Sequence, residues 1–418
     1  MMGMKRLIAI LVVFLGSTLA QSPQSVTASN KADTSLEFIN TAFENASPLY
    51  WETDADGTIQ VYLVYDQERS SPNRANGHWH FQIQARPGAK LKVVLNNLEN
   101  VWNGKKASVA TSQTISFLSE NGRDWRPTRM KLLGSNRLQL DLEMPGPKLY
   151  VARLEPYRLS DLDKLLKSIQ GHARVEISRI GKTVEGRDLE IFRIGKPEAL
   201  YRVFLRARAH SWEPGGNWVV QGLIRRLLKD DETARRYLER YCVYILPMAN
   251  KDGVARGRTR FNVLGKDLNR NWDRPADPSL APENHAVETW LEALIKKGQR
   301  PDLALDLHND DSGRLHISRP AQMDLKRYLA RMKVLESLLR KHTWFTEGST
   351  SESFRNPGTI AEGLLARYGI DAAVHELNAN WIAGLKDYPS GKNWELYGEQ
   401  LCQVFFEYFD SRDREREP

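Results

Sequence analysis

The chain has 418 residues, 41% of them apolar, with 11 tryptophans and a formal net charge of +8. That length exceeds one typical domain, and that composition supports a large core and excludes global disorder. The 60 basic and 52 acidic residues are interleaved with no lysine–arginine block, so no nucleic-acid partner is expected.

At the amino terminus Lys5 and Arg6 precede an apolar run from Leu7 to Leu15, and Thr18 and Ala20 follow. The run is too short to span a bilayer, and its flanks predict a secretory signal over 1–20. No cysteine follows the cleavage point, so the expected product is secreted or periplasmic, with no membrane anchor after cleavage. Residues to about Asp33 are small and polar, as in a linker.

Residues 34–156 alternate apolar and polar side chains in short runs such as "TIQVYLVYD", "KLKVVLNN" and "RLQLDLEM". Pro-Gly, Asn-Gly and Asp-Gly pairs punctuate them, which predicts an all-β sandwich domain. Within it, Trp79 and His80 are read as strand positions.

The texture changes at "YRLSDLDKLLKSI", where Ser160 and Asp163 resemble a helix-opening box before Leu162, Leu165, Leu166 and Ile169 at helical spacing. From there to about residue 410, strand-like and helix-like runs alternate. That pattern predicts an α/β domain over 157–410, its sheet covered by helices on both faces. The last run, "DSRDREREP", reads as a frayed end. Cys242 and Cys402 lie in separate apolar segments, which fits two core thiols better than a bridge.

Four strand-like runs end on chemistry. "RVFLRARA" leads into His210 and Glu213, "LALDLH" ends on His308, and "DAAVHEL" carries Glu376. Two imidazoles and a carboxylate leave an open position on one zinc ion, and a second carboxylate beside it can take a proton from water. The fourth strand, "CVYILPM", leads into "NKDGVARGRTRFNVLGKDLNRNWD", whose arginines suit a carboxylate clamp and the stabilisation of an oxyanion.

From about Ile177 to Phe406 the motifs occur in an order that resembles the zinc metallocarboxypeptidases. These are "RIGKTVEGRDLEIFRIG", "ARAHSWEPGGNWVVQGL", "NKDGV", "GKDLNRNWD", "DLH" and "AVHELN". The β-rich half, with "NGHWHFQIQARPG", is similar to the amino-terminal sandwich of the cytosolic-type subgroup. The resemblance implies a metallocarboxypeptidase fold, a mixed sheet sandwiched by helices and preceded by the all-β domain. It implies that His210, Glu213 and His308 bind one zinc per chain and that Asp267 orients a ligand histidine. Asn269 and Arg270 would hold the substrate's terminal carboxylate, and Arg260 would polarise the carbonyl. Glu376 would be the general base and later the proton donor. The implied reaction is direct attack of zinc-activated water on the last peptide bond of peptides or proteins. The alternatives are a same-fold amidohydrolase of cell-wall stem peptides or N-acyl amino acids, and a non-catalytic binding relic.

Other residues receive bland readings. His375, next to Glu376, is expected on the packed face of its strand. His285 is expected on the surface and His316 in a loop. Asp306, two residues from His308 on its strand, is read either as a support for the site or as a local hydrogen-bond partner, and is left outside the catalytic set. Tyr368 is too near Glu376 in sequence to be assigned to the site.

Overall fold

The computed structural model describes residues 35–321 and 323–414. The expected signal segment and the linker after it lie outside these residues. Two five-stranded sheets and a four-stranded ribbon form the amino-terminal part. One sheet runs in the order Leu36–Asn40, His80–Ala85, Lys148–Ala152, Ile115–Ser119, Arg126–Arg129. The other runs Lys131–Leu133, Arg137–Glu143, Lys90–Asn96, Ile59–Leu63, Leu49–Thr53. The period-two pattern works as read. In Ile59–Leu63 the side chains of Ile59, Val61 and Leu63 enter the core, as do Leu138, Leu140 and Leu142 from the facing run. Trp79 is also fully buried there, and its indole donates to Ser116 Oγ at 3.0 Å. The ribbon, Asp66–Gln67, Arg74–Ala75, Glu99–Trp102 and Lys105–Ser108, projects toward the second half of the chain.

That second half is built on a seven-stranded mixed sheet. Its order is Val175–Lys182, Asp188–Ile194, Tyr241–Leu246, Tyr201–Ala207, Leu303–Asp310, Asp371–Asn378, Leu315–Ile317. The four strands Tyr241–Leu246 to Asp371–Asn378 are mutually parallel, and antiparallel strands flank them at both edges. Both faces are covered. Val203, Leu205 and Ala207 pack with helices Gly215–Leu227, Lys326–His342 and Gly391–Arg414. Phe204, on the opposite face, packs with Pro282–Lys296 and Ile360–Tyr368. Continuous apolar strands buried on two sides are what a parallel sheet under two helix layers requires.

Three local expectations need correction. The helix Leu159–Ile169 is capped by Arg158, whose N–H donates to Asp161 Oδ2 at 3.0 Å, so Ser160 lies inside the helix and Asp161, not Asp163, closes the box. Of the charged end, residues 410–414 are helical rather than frayed, because Asp410 and Asp413 pair with Arg240 and Arg412 pairs with Asp302; residues 415–418 lie outside the described residues. His316 is a strand residue, in Leu315–Ile317 beside Val374. Cys242 and Cys402 are buried free thiols, and burial pushes the Cys242 thiol up to about 11. No helix among the described residues is long and apolar enough to cross a membrane.

Candidate active site

The parallel register decides which side chains meet. Arg206 stands beside Asp306, and His308 stands beside Glu376, on neighbouring strands. His210 and Glu213 come from the turn that leaves Tyr201–Ala207 and enters the helix Gly215–Leu227. That turn begins at Arg208, a buried non-glycine residue with φ +61°. Such a conformation costs about 1–3 kcal/mol and persists only when surroundings impose it. Here Arg208 donates to the Ser211 carbonyl at 2.9 Å and to Asn217 Oδ1 at 3.1 Å, closing the turn around His210. The glycines of "EPGG" answer a close approach. A Cβ on Gly215 would lie 2.7 Å from Asn309, and one on Gly216 would lie 2.8 Å from Leu307. Asn309 Oδ1 instead accepts the Gly215 N–H at 2.8 Å, fastening the helix start to the strand that carries His308.

The three expected ligands converge. His210 Nδ1 lies 2.8 Å from Glu213 Oε1, His308 Nδ1 lies 2.7 Å from Glu213 Oε2, and the two Nδ1 atoms are 3.1 Å apart. Ligands of a tetrahedral zinc at about 2.0–2.1 Å stand about 3.3 Å from one another, so the spacing fits. Two imidazole lone pairs facing each other at this distance need a cation or a proton between them. The charges express the same demand. Burial opposes it, yet His210 and His308 hold the Glu213 carboxyl down at about 2. Burial would likewise depress His308, but Asp306 and Glu213 outweigh it and push the imidazole well above its usual range. The three residues form a group able to hold a metal ion.

Each imidazole is oriented through its other nitrogen. His210 Nε2 lies 3.2 Å from Asp267 Oδ1, and Asp267 Oδ2 accepts Arg260 Nε at 2.8 Å. Arg260 and His210 overcome the burial of Asp267 and keep it ionised, well below the usual carboxylate range. His308 Nε2 lies 2.6 Å from Asp306 Oδ2, and Asp306 binds Arg206 through both oxygens at 2.7 Å. Of the two readings open for Asp306, the contact with His308 favours support of the site. The signal for that reading was available, because residues two apart on a strand share a face.

The remaining expected residues are placed as follows. Glu376 is partly exposed beside His308, and its buried Oε2 has no hydrogen-bond partner among the described residues. Burial, then Asp310 and Glu213, push its carboxyl well above the usual range, with His308 and Arg260 opposing. Arg260 reaches within 3.4 Å of His210 Nδ1. Arg270 is partly buried and donates to the Asn269 carbonyl at 2.8 Å; burial lowers its pKa, and Asp267 and Glu376 oppose that shift. Asn269 is buried, with Oδ1 accepting the Ile360 N–H at 2.9 Å and Nδ2 at 3.1 Å from His308 Nε2. The pairing of Asn269 with the wall of the site was not legible in the sequence.

His316 faces Glu376 and Asp310, and all three offer atoms within 4.8 Å of one another. It also lines a small cavity of about 30 Å³ with Arg319, Phe354, Arg355 and Glu362. His375 is fully buried against Tyr397, His285 is exposed, and Tyr368 turns its hydroxyl to Glu292 at 3.1 Å.

Residues 162–309 match the family model described as zinc carboxypeptidase. Over that stretch the chain is similar to that family. It is 25% identical over 281 residues to an uncharacterized protein of Zymomonas mobilis, covering 66% of this chain and 68% of the relative. It is 37% identical over 106 residues to human cytosolic carboxypeptidase 1, covering 25% of this chain and only 9% of that much longer protein. A metallo-carboxypeptidase from Burkholderia cenocepacia shares the fold with a TM-score of 0.77, over 90% of this chain and 99% of the other, at 20% identity. The chain shares that fold, and the group able to hold a metal ion lies at the carboxyl ends of its parallel strands.

Proposed function

We propose that the protein is a zinc-dependent carboxypeptidase that removes the last residue from peptides or protein tails. One observation carries this reading: Glu376, with a buried oxygen that lacks a partner among the described residues, stands directly beside His308, one of three convergent side chains able to hold a metal ion. His210, Glu213 and His308 would hold one zinc ion through two Nδ1 atoms and a carboxylate. Zinc there supplies Lewis acidity toward a water and the scissile carbonyl. Glu376 accepts the proton of the attacking water and returns it to the leaving amine. Arg260 donates to the oxygen that becomes negative. Arg270, with Asn269, holds the terminal carboxylate through charge-assisted hydrogen bonds, which selects chain ends over internal bonds.

The test is mass spectrometry of a peptide set with free and amidated carboxyl ends, incubated with zinc-loaded protein, with and without chelator. Release of single residues from free ends only, stopped by chelation, supports the reading. Trimming of amidated ends at the same rate contradicts the clamp. No trimming at all redirects the search to cell-wall stem peptides and N-acyl amino acids. We also propose export through the amino-terminal segment 1–20, which cell fractionation and amino-terminal sequencing of the mature protein would check.

A further inference from the structure

The loop that carries Arg260 is irregular between the helix Lys251–Ala255 and Asp267, and the amino-terminal β-rich part holds much of it in place. Asp66, on the four-stranded ribbon, is 4% exposed. Its Oδ2 accepts the backbone N–H groups of Arg260 at 2.7 Å and Phe261 at 2.9 Å, and its Oδ1 accepts Arg258 Nε at 2.9 Å. Gly77 donates to Thr259 Oγ1 at 3.3 Å, and Arg69 donates its N–H to the Gly265 carbonyl at 2.8 Å. Trp102, on the same ribbon, lies under the Arg260 guanidinium with 4.7 Å from Cζ to the ring centroid, and contacts Phe261 at 6.1 Å. Gly265, at φ +77°, sits where a Cβ would press on the Arg69 backbone at 2.8 Å, so the two parts of the chain meet there at backbone distance.

From the opposite side Asn250 Nδ2 donates to the Arg260 carbonyl at 3.1 Å, and the Trp212 N–H donates to the Thr259 carbonyl at 3.0 Å. The backbone of Arg260 is therefore gripped on both sides, and its side chain is fixed between Trp102 and Asp267. We infer that Asp66 and Trp102 are positioning residues for Arg260, so that the β-rich domain is a working part of the active site. A continuous chain of contacts runs from Asp66 through Arg260 and Asp267 to His210. This inference rests on the role of Arg260 proposed above. A donor aimed at a developing charge acts only when held in place, and small misplacements are costly.

The experiment compares the full chain with Trp102→Ala, Trp102→Phe and Asp66→Asn. Peptide release gives kcat and KM, and hydrogen exchange is followed over residues 256–267. Trp102→Ala is expected to lower kcat about 10- to 100-fold with KM changed less than about 3-fold, and Trp102→Phe to recover most of it. Asp66→Asn is expected to lower kcat similarly and to speed exchange at the Arg260 and Phe261 amides. Equal kcat in an active parent and its variants would overturn the inference while leaving the carboxypeptidase reading intact. If the parent releases nothing, that reading fails by itself. Exchange then decides the clamp: unchanged protection in Asp66→Asn would overturn it, and lost protection would support it.

Discussion

Asp306 Oδ2 lies 2.6 Å from Nε2 of His308 while both Asp306 oxygens hold the buried Arg206. The His308 imidazole is thus tied through one carboxylate to a guanidinium on the neighbouring strand. Asp306→Asn removes the charge opposite Arg206, which is 1% exposed, and loosens His308 at once. Leaving one partner of a buried pair uncompensated costs about 3–5 kcal/mol. Loss of the group that orients a ligand lowers metal affinity about 10- to 100-fold. Denaturant unfolding and zinc competition against a chromogenic chelator measure the two effects. Unchanged affinity would contradict the assigned role.

The convergent ligands also predict a stability response to metal. A site present only in the folded chain gains about 2.7 kcal/mol when zinc is at a hundred times its dissociation constant. The thermal midpoint should rise with zinc, fall back with chelator, and stay put in His210→Ala and His308→Ala. An equal rise in those variants would place the metal elsewhere.

His375 gives a pH signature. Burial lowers its pKa to about 3, whereas an unfolded histidine titrates near its ordinary value of 6.5. Between those values the unfolded chain binds the extra proton, so this residue's contribution to stability is present above pH 6.5 and is lost as pH falls toward 3. The slope it adds is at most about 1.4 kcal/mol per pH unit. His375→Phe, packed against Tyr397 and Phe345, should flatten the stability profile between pH 4.5 and 6 by that amount. Equal slopes would show that His375 takes up no proton on unfolding in that range.

Gly222 and Gly398 mark the crossing of the helices Gly215–Leu227 and Gly391–Arg414. A Cβ on Gly222 would collide with the Glu395 carbonyl, and one on Gly398 with the Val219 carbonyl. Helix propensity alone favours alanine over glycine by about 1 kcal/mol. Backbone cannot turn aside as a side chain can, so overpacking of about 1–3 kcal/mol or more should win. Gly222→Ala is expected to lower the unfolding midpoint; a rise would mean that the helices can separate without loss.

The architecture was legible because two periods do different work here. Alternation of two in Ile59–Leu63 and a helical spacing in Leu162–Ile169 each describe a buried face. His375 was legible for the same reason, its neighbour Glu376 occupying the opposite face. What was not legible depends on registers between distant strands. The spacing of Asp306 and His308 places them on one face, but the pairing of Asp306 with Arg206 depends on the register across the sheet. His316 faces Glu376 because Leu315–Ile317 turns back along the edge of the sheet, in a segment too short for any periodic signal. The grip of Asp66 on Arg260 joins residues 194 apart, and no local pattern encodes it.

The measurement that bears most directly on the whole account is residue release by Glu376→Gln at confirmed zinc content. Glu376 is outside the ligand group, so the variant should bind one zinc per chain as the parent does. Release should fall about 10²- to 10⁴-fold, the usual contribution of a positioned acid–base group. A zinc-loaded Glu376→Gln protein that trims peptides at the parent's rate would contradict the account, because the proton would then travel by another route.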